Sequence, residues 1–177
     1  MTRALQLHPT SRCGAGIAVS VDARRPAPGV LSLAYAVAGD VGRLYVPAAS
    51  EPLRTDDLWK RTCFEAFVLP GPGDAYVEFN FASSGRWATY RFDRYREGMR
   101  DAVDVVPAPI AVTKDAARLE LAVSAALPDL AAAPVWRLGL TAVIEEADGH
   151  VSYWALAHPR PQPEFHDPAG FVLELAA

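Results

Sequence analysis

The 177-residue chain holds two cysteines, Cys13 and Cys63, which lie far apart and form no C-x-x-C pair. They read as two free thiols, as expected in a reducing compartment. No run approaches the ~18 apolar residues of a membrane-spanning helix. The first residues, Met1-Thr-Arg-Ala-Leu-Gln-Leu-His-Pro9, contain no apolar core of the signal-peptide kind, so a cytoplasmic location is expected. There is no basic excess: 17 Lys and Arg stand against 21 Asp and Glu, for a net charge of −4. That argues against a general nucleic-acid binder, which needs a basic face. The sequence has no G-x-G-x-x-G, no P-loop and no Ser or Cys in a G-x-S-x-G setting, so nucleotide cradling and nucleophilic catalysis find no support. With 51% hydrophobic and 21% charged residues, the chain is globular and sized for one domain over 1–177.

What the sequence has in quantity is alternation with a period of two. Leu31, Leu33, Tyr35 and Val37 are in phase within 29–37. Further strands are read at 43–46, 62–69, 75–81, 86–92, 118–123, 135–145, 151–158 and 170–175. Pro70-Gly-Pro-Gly-Asp74, Ala82-Ser-Ser-Gly85 and Ala147-Asp-Gly149 mark hairpin turns between them. Helical candidates are short: 95–100, and 124–131 with Pro128 inside it. The segments 26–28 and 158–168 are loops, the second holding Pro159, Pro161, Pro163 and Pro168. Many short strands joined by hairpins predict an all-β fold: an antiparallel, jelly-roll-like β-sandwich with one or two short helices.

The densest signal lies in Leu58-Trp-Lys-Arg-Thr-Cys-Phe-Glu-Ala-Phe67, Ala75-Tyr-Val-Glu-Phe-Asn-Phe81 and Arg86-Trp-Ala-Thr-Tyr-Arg-Phe92, read as three adjacent strands. Burial of an apolar side chain stabilises by roughly 1.5–3 kcal/mol. The preferred phase therefore buries Phe64, Ala66 and Val68; Val77, Phe79 and Phe81; and Ala88, Tyr90 and Phe92. The opposite face then carries Cys63, Glu65 and Phe67; Tyr76, Glu78 and Asn80; and Trp87, Thr89 and Arg91. Large aromatics mixed with fixed hydrogen-bonding groups suit a polar ligand such as a sugar, whose C–H faces stack and whose hydroxyls pair. Trp59, Tyr76 and Trp87 are candidates to stack. Glu65, Glu78, Asn80 and Arg91 are candidates to hydrogen-bond, with His158 and His166 on a bordering loop. The alternative is a cross-strand ion pair of Arg91 with Glu65 or Glu78, and Trp87 capping a second small core.

Leu58-Trp59, Thr62-Cys-Phe-Glu65, Tyr76-Val-Glu-Phe-Asn80, Trp87 and Tyr90-Arg-Phe92, taken in order, resemble the DOMON-like superfamily and its family 9 carbohydrate-binding-module-like β-sandwiches. The later segments 119–127 and 136–145 are similar to a family strand with a short helical turn and to its late core strand. The likeness covers roughly residues 30–175, nearly a whole domain of ordinary size. It implies non-catalytic binding of a carbohydrate or related small polar ligand, and haem in cytochrome members.

Other readings are weighed on the same residues. Glu65 and Glu78 could act as a glycosidase pair if suitably separated. Met99 with His158 or His166 is a candidate axial pair for haem, and calcium also stays open; neither has a specific motif. His158, Glu164, His166 and Asp167 match no standard zinc spacing. Arg86, Arg91, Arg94, Arg96 and Arg100 are offset by Asp93, Glu97 and Asp101, which reads as an ion-paired turn, or as a clamp for an anionic sugar through Arg91, Arg94 or Arg96. A protein-interaction module using the aromatic face, including a homodimer, is the alternative from another class; no nucleic acid and no membrane are expected as partners.

Overall fold

The computed structural model describes residues 2–177. Its twelve strands are β1 (Arg3–Leu7), β2 (Ala18–Ala27), β3 (Val30–Ala38), β4 (Cys63–Pro70), β5 (Tyr76–Phe81) and β6 (Trp87–Phe92), followed by β7 (Arg100–Asp101), β8 (Ala111–Lys114), β9 (Arg118–Ala126), β10 (Val135–Glu145), β11 (Val151–Ala155) and β12 (Leu173–Ala176). They form one antiparallel sheet in the order β7-β6-β5-β4-β10-β11-β1-β2-β3-β9-β8, with β12 added on β10. The all-β, antiparallel expectation holds. The two sheets of a sandwich, however, are joined here: β1 pairs with β2 on one side and, through Gln6 and Leu7, with β11 on the other. The result is one sheet curled around its core.

Helix is confined to short 3-10 turns at Val41–Arg43, Leu58–Lys60, Pro128–Leu130 and Pro168–Gly170. The helix expected over 124–131 is the end of β9 followed by one of these turns, because Pro128 can start a helical turn but not sit inside one. The 95–100 segment is a turn closed by the Glu97 N–H donating to the Arg94 carbonyl. The strand expected at 43–46 reduces to a single bridge, Leu44 to Glu146. The segment 58–62 is likewise no strand; β4 begins at Cys63.

The main core lies inside the curl. Val19, Val21, Leu33, Tyr35, Val37, Leu119 and Leu121 from one half meet Phe64, Ala66, Val68, Val77, Phe79, Phe81, Leu138 and Leu140 from the other. The fully buried Tyr35 spans this core, its hydroxyl donating to the Glu65 carbonyl at 2.6 Å.

A second, smaller core occupies the outer face of β4, β5 and β6: Phe67, Leu69, Tyr76, Ala88, Tyr90, Phe92 and Phe171, with Leu58, Trp59 and Phe165 against them. The expected phases of β4 and β5 match this arrangement, while that of β6 is inverted. Residues directly opposed in an antiparallel pair share a face. Tyr76 faces Phe92, Glu78 faces Tyr90 and Asn80 faces Ala88, whereas Trp87, Thr89 and Arg91 oppose Phe81, Phe79 and Val77 on the main-core side. Tyr90 and Phe92 gain burial in the second core, and Trp87 packs at the edge of the first. Both phases of this strand bury apolar surface, so alternation alone does not choose between them.

Phe171 lies flat over β10 at Gly139 and stacks on Phe67 with ring centroids 5.6 Å apart. A β-carbon at position 139 would stand 2.5 Å from the Phe171 ring, inside any normal contact. Gly139→Ala should therefore destabilise the fold by about 1–3 kcal/mol through overpacking, read as a lower urea midpoint. An unchanged midpoint would show that Phe171 does not rest on Gly139 in solution.

Candidate functional site

The outer face of the sheet and the segment 156–172 enclose a cavity of about 550 Å³. Glu65 and Phe67 of β4, Glu78 of β5 and Val143 of β10 form its floor. Trp59 and Lys60 enter from the 3-10 turn before β4, and Arg96 and Met99 from the turn after β6. Tyr153 closes one side; Pro163, Phe165 and His166 form the roof.

Alternation along β4 and β5 puts carboxylates into this space. Glu65 and Glu78 are 2% and 5% exposed, which is rare for an acid without a cationic partner. Glu65 Oε2 accepts from the Thr141 hydroxyl at 3.0 Å, on the β10 residue directly opposite. Glu65 Oε1 is buried with no hydrogen-bond partner among the described residues. Glu78 Oε1 accepts from Asn80 Nδ2 at 2.7 Å, and its Oε2 lies 3.8 Å from His166 Nε2. Tyr76 stands behind: its hydroxyl accepts the Arg96 N–H at 3.3 Å and, with its own proton, donates to His166 Nδ1 at 2.8 Å. That pattern places the imidazole proton on Nε2, toward Glu78. The ring is held edge-on by Phe67 and Phe92 at 5.2 and 5.1 Å.

Burial sets the protonation states. Removal from water, reinforced by the Glu78 charge and eased by Thr141, pushes Glu65 up to about 8. Burial pushes Glu78 up to about 7, against the Asn80 hydrogen bond and the Arg96 charge. His166 is driven the other way, to about 4, by burial and then by Arg96. The His166–Glu78 contact is therefore not an ion pair near neutral pH, because the imidazole is uncharged there.

Of the residues singled out in the sequence, Trp59, Glu65, Glu78 and His166 line the cavity. Tyr76 and Asn80 are fully buried and hold its polar groups in place. Three are elsewhere. Trp87 is on the opposite face; Arg91, on that same face, pairs with Asp104 at 2.8 Å and Asp129 at 2.7 Å. His158 donates from Nε2 to the Gln6 carbonyl at 2.8 Å and packs edge-on against His8. The ion pair considered between Arg91 and Glu65 or Glu78 is excluded by the same inversion of β6. The second small core does exist, built on Tyr90 and Phe92 instead of Trp87.

The haem pair loses His158 by position. Met99 and His166 reach one cavity, but Tyr76 occupies His166 Nδ1 and Nε2 faces a carboxylate, a poor fit to an axial ligand. The possible metal ligands on the loop are engaged separately: Glu164 with Arg96, and Asp167 with Arg160 and the Ala169 N–H. Among the described residues no three His, Cys, Asp or Glu converge on one point. Thr141, Tyr153 and Phe165 were not singled out from the sequence, since each sits in a segment whose face depends on β10, β11 or the covering loop.

No protein-family model matches the chain, and no curated protein matches it. Among solved structures, a crystal structure described as a putative carbohydrate-binding protein from Bacteroides uniformis ATCC 8492 has a similar fold. It aligns with a TM-score of 0.68 over 99% of this chain and 85% of that one, at 15% identity. At that identity the likeness is one of fold.

The site predicts an unusual pH profile. A carboxyl whose folded value lies above its ordinary 4.5 contributes stability below that pH and loses it as the pH rises through the folded value, here about 8 for Glu65 and about 7 for Glu78. His166, lowered from 6.5 to about 4, contributes above 6.5 and loses that contribution as the pH falls through 4. Glu65→Gln should therefore lose less stability than the parent between about pH 5 and about pH 8, by roughly 1–4 kcal/mol. Urea unfolding at the two pH values measures it, and equal losses would mean that Glu65 titrates normally.

Proposed function

We propose that this protein binds a carbohydrate or related small polar molecule in the cavity over β4 and β5, without altering it chemically. The observation that carries this reading is a buried carboxyl oxygen, Glu65 Oε1, without a partner among the described residues, beside Glu78 in an aromatic-walled cavity. A buried polar oxygen without a partner is costly, and a ligand hydroxyl, which both donates and accepts, would satisfy it in either protonation state of Glu65. Trp59, Phe67, Phe92, Tyr153 and Phe165 offer the apolar walls, and a cavity of this size falls within the range of small-molecule sites. The resemblance of the Glu65, Tyr76–Asn80 and Trp59 segments to DOMON-like and family 9 carbohydrate-binding-module-like domains supports it. So does the fold shared with the Bacteroides protein, whose description names carbohydrate binding. On this reading the curled sheet is a jelly-roll-like variant of that architecture. The concave, roofed shape favours a small ligand over a docking protein, which would need a flatter exposed patch.

Thermal shift of the purified protein against mono- and disaccharides tests the proposal. A ligand at ~100 times its dissociation constant adds about 2.7 kcal/mol to the folded state. Trp59→Ala and Glu78→Gln should abolish the shift, while Trp87→Ala, on the other face, should lower the starting midpoint and leave the ligand-induced shift in place. A shift that depends on Trp87 but not on Trp59 would move the site out of this cavity.

A further inference from the structure

Resting on the small-ligand reading above, we infer that the cavity selects a ligand with a protonated amine, of the amino-sugar class, over neutral and acidic sugars. Four observations support this.

The first is the floor. Two buried carboxyl groups from neighbouring strands face one space, and one oxygen of Glu65 has no donor. An ammonium supplies up to three N–H donors together with the charge that a carboxylate pair attracts.

The second is the state of the cations at the mouth. Lys60 Nζ is bound to Asp57 at 2.6 Å. The Arg96 guanidinium makes a forked contact with Glu164, at 3.0 Å from Nη2 and 3.1–3.2 Å from Nε. The exposed Lys60–Asp57 pair is weak, but the forked arginine–carboxylate pair is not readily given up to a sugar acid or phosphate. The arginine clamp considered from the sequence is thus already closed on the protein's own carboxylate.

The third is His166. Its Nε2 proton is turned toward Glu78 and its Nδ1 accepts from Tyr76, so it presents no positive charge to an anion. The fourth is the wall. Trp59, Tyr153 and Phe165 are the partly exposed aromatics of the lining, and a cation near an aromatic face is stabilised by about 0.5–2 kcal/mol according to its desolvation.

The carboxyl pair also has a way to hold its own charge. The groups around the pair are Tyr35, Cys63 and Thr141 near Glu65, and Asn80, His166 and Arg96 near Glu78. Of these only Arg96 is cationic, and it is paired with Glu164; Lys60, also in the lining, is paired with Asp57. Burial keeps both carboxyls above the ordinary range, so the pair retains a proton near neutral pH. An ammonium entering the cavity takes over the role of that proton, which leaves to the buffer.

Isothermal titration calorimetry of the whole chain near neutral pH provides the test. The probes are glucosamine, N-acetylglucosamine, glucose, glucuronic acid, and propylamine as an amine without a sugar. Glucosamine should bind at least about tenfold more tightly than its N-acetyl form or glucose, with glucuronic acid weakest. Its heat should change between buffers of different ionisation enthalpy, reporting up to about one proton released. Glu65→Gln and Glu78→Gln, each checked for cooperative unfolding, should erase the preference; if either fails to fold, the comparison of glucosamine with N-acetylglucosamine decides alone. Glucose or N-acetylglucosamine binding as tightly as glucosamine would overturn the amine inference and leave the carbohydrate reading standing. Propylamine binding with no sugar binding, glucosamine included, would overturn the carbohydrate reading and the amino-sugar class together and leave a site for a simple amine. Silence from every probe would overturn the amine inference.

Discussion

The burial of β4 and β5 on both faces is the constraint from which the rest of this structure follows. A sheet that curls around a core needs only its inner face to be dry. Here the outer face is dry as well, because the segment 156–172 lies across it and is fastened at several points. Phe171 sits on the space left by Gly139, Arg137 donates to the Pro168 carbonyl at 2.9 Å, Asp167 caps the turn at Ala169, and Glu164 holds Arg96. The prolines in this segment suit it to the task, since a chain with fixed φ loses less entropy when ordered over a surface. With the cover in place, every polar group on the outer face must find a partner inside the protein, in cavity water or in a ligand. Asn80 and Tyr76 find theirs in Glu78, His166 and Arg96. Glu65 finds one of two.

This explains the electrostatics of the cavity as a consequence of position. The floor is buried, so carboxyls there are pushed toward neutrality and the imidazole is kept uncharged. At the mouth, Lys60 and Arg96 are matched by Asp57 and Glu164. Stability alone does not call for acids on the floor. A buried ion or acid is commonly no better for stability than a well-packed apolar residue of similar volume, and the apolar neighbours Phe67, Phe92 and Val143 show that the second core could have been closed with hydrocarbon. Titratable groups displaced this far, in a cavity, are where binding or chemistry is concentrated.

The sequence showed the outline of this arrangement and concealed its closure. β4 and β5 were legible because one phase of each strand carries charge and the other does not, so a single-residue slip would have buried Glu65 and Glu78 in the main core. β6 was not: Trp87 competes with Tyr90 and Phe92, and the choice is made by the second core, which is assembled from distant residues such as Phe171. Arg91 followed Trp87 to the other face for that reason. β1 escaped notice because only Leu5 is buried within it; its role is in backbone pairing, which side-chain alternation does not report. β2 shows in-phase Val19, Val21 and Ala23, but Asp22, Arg24 and Arg25 obscure the pattern. Thr141 and Tyr153 depend on the register of β10 against β4 and β11, a long-range property.

Tyr35 gives the two cores a common point. Its hydroxyl crosses the main core to the Glu65 carbonyl, while Thr141 holds the same residue's carboxyl group on the other side of the sheet. Glu65 is thereby fixed at its backbone and at one side-chain oxygen, and the remaining oxygen is the unmatched one. A group held in this way loses little freedom when a ligand arrives, and low reorganisation favours affinity. The stiffness of the main core is therefore part of the site. A fold shared at 15% identity conveys the course of the sheet but not this arrangement, so the proposed binding is better judged from Glu65, Glu78 and the Arg96–Glu164 pair beside them than from the shape of the chain.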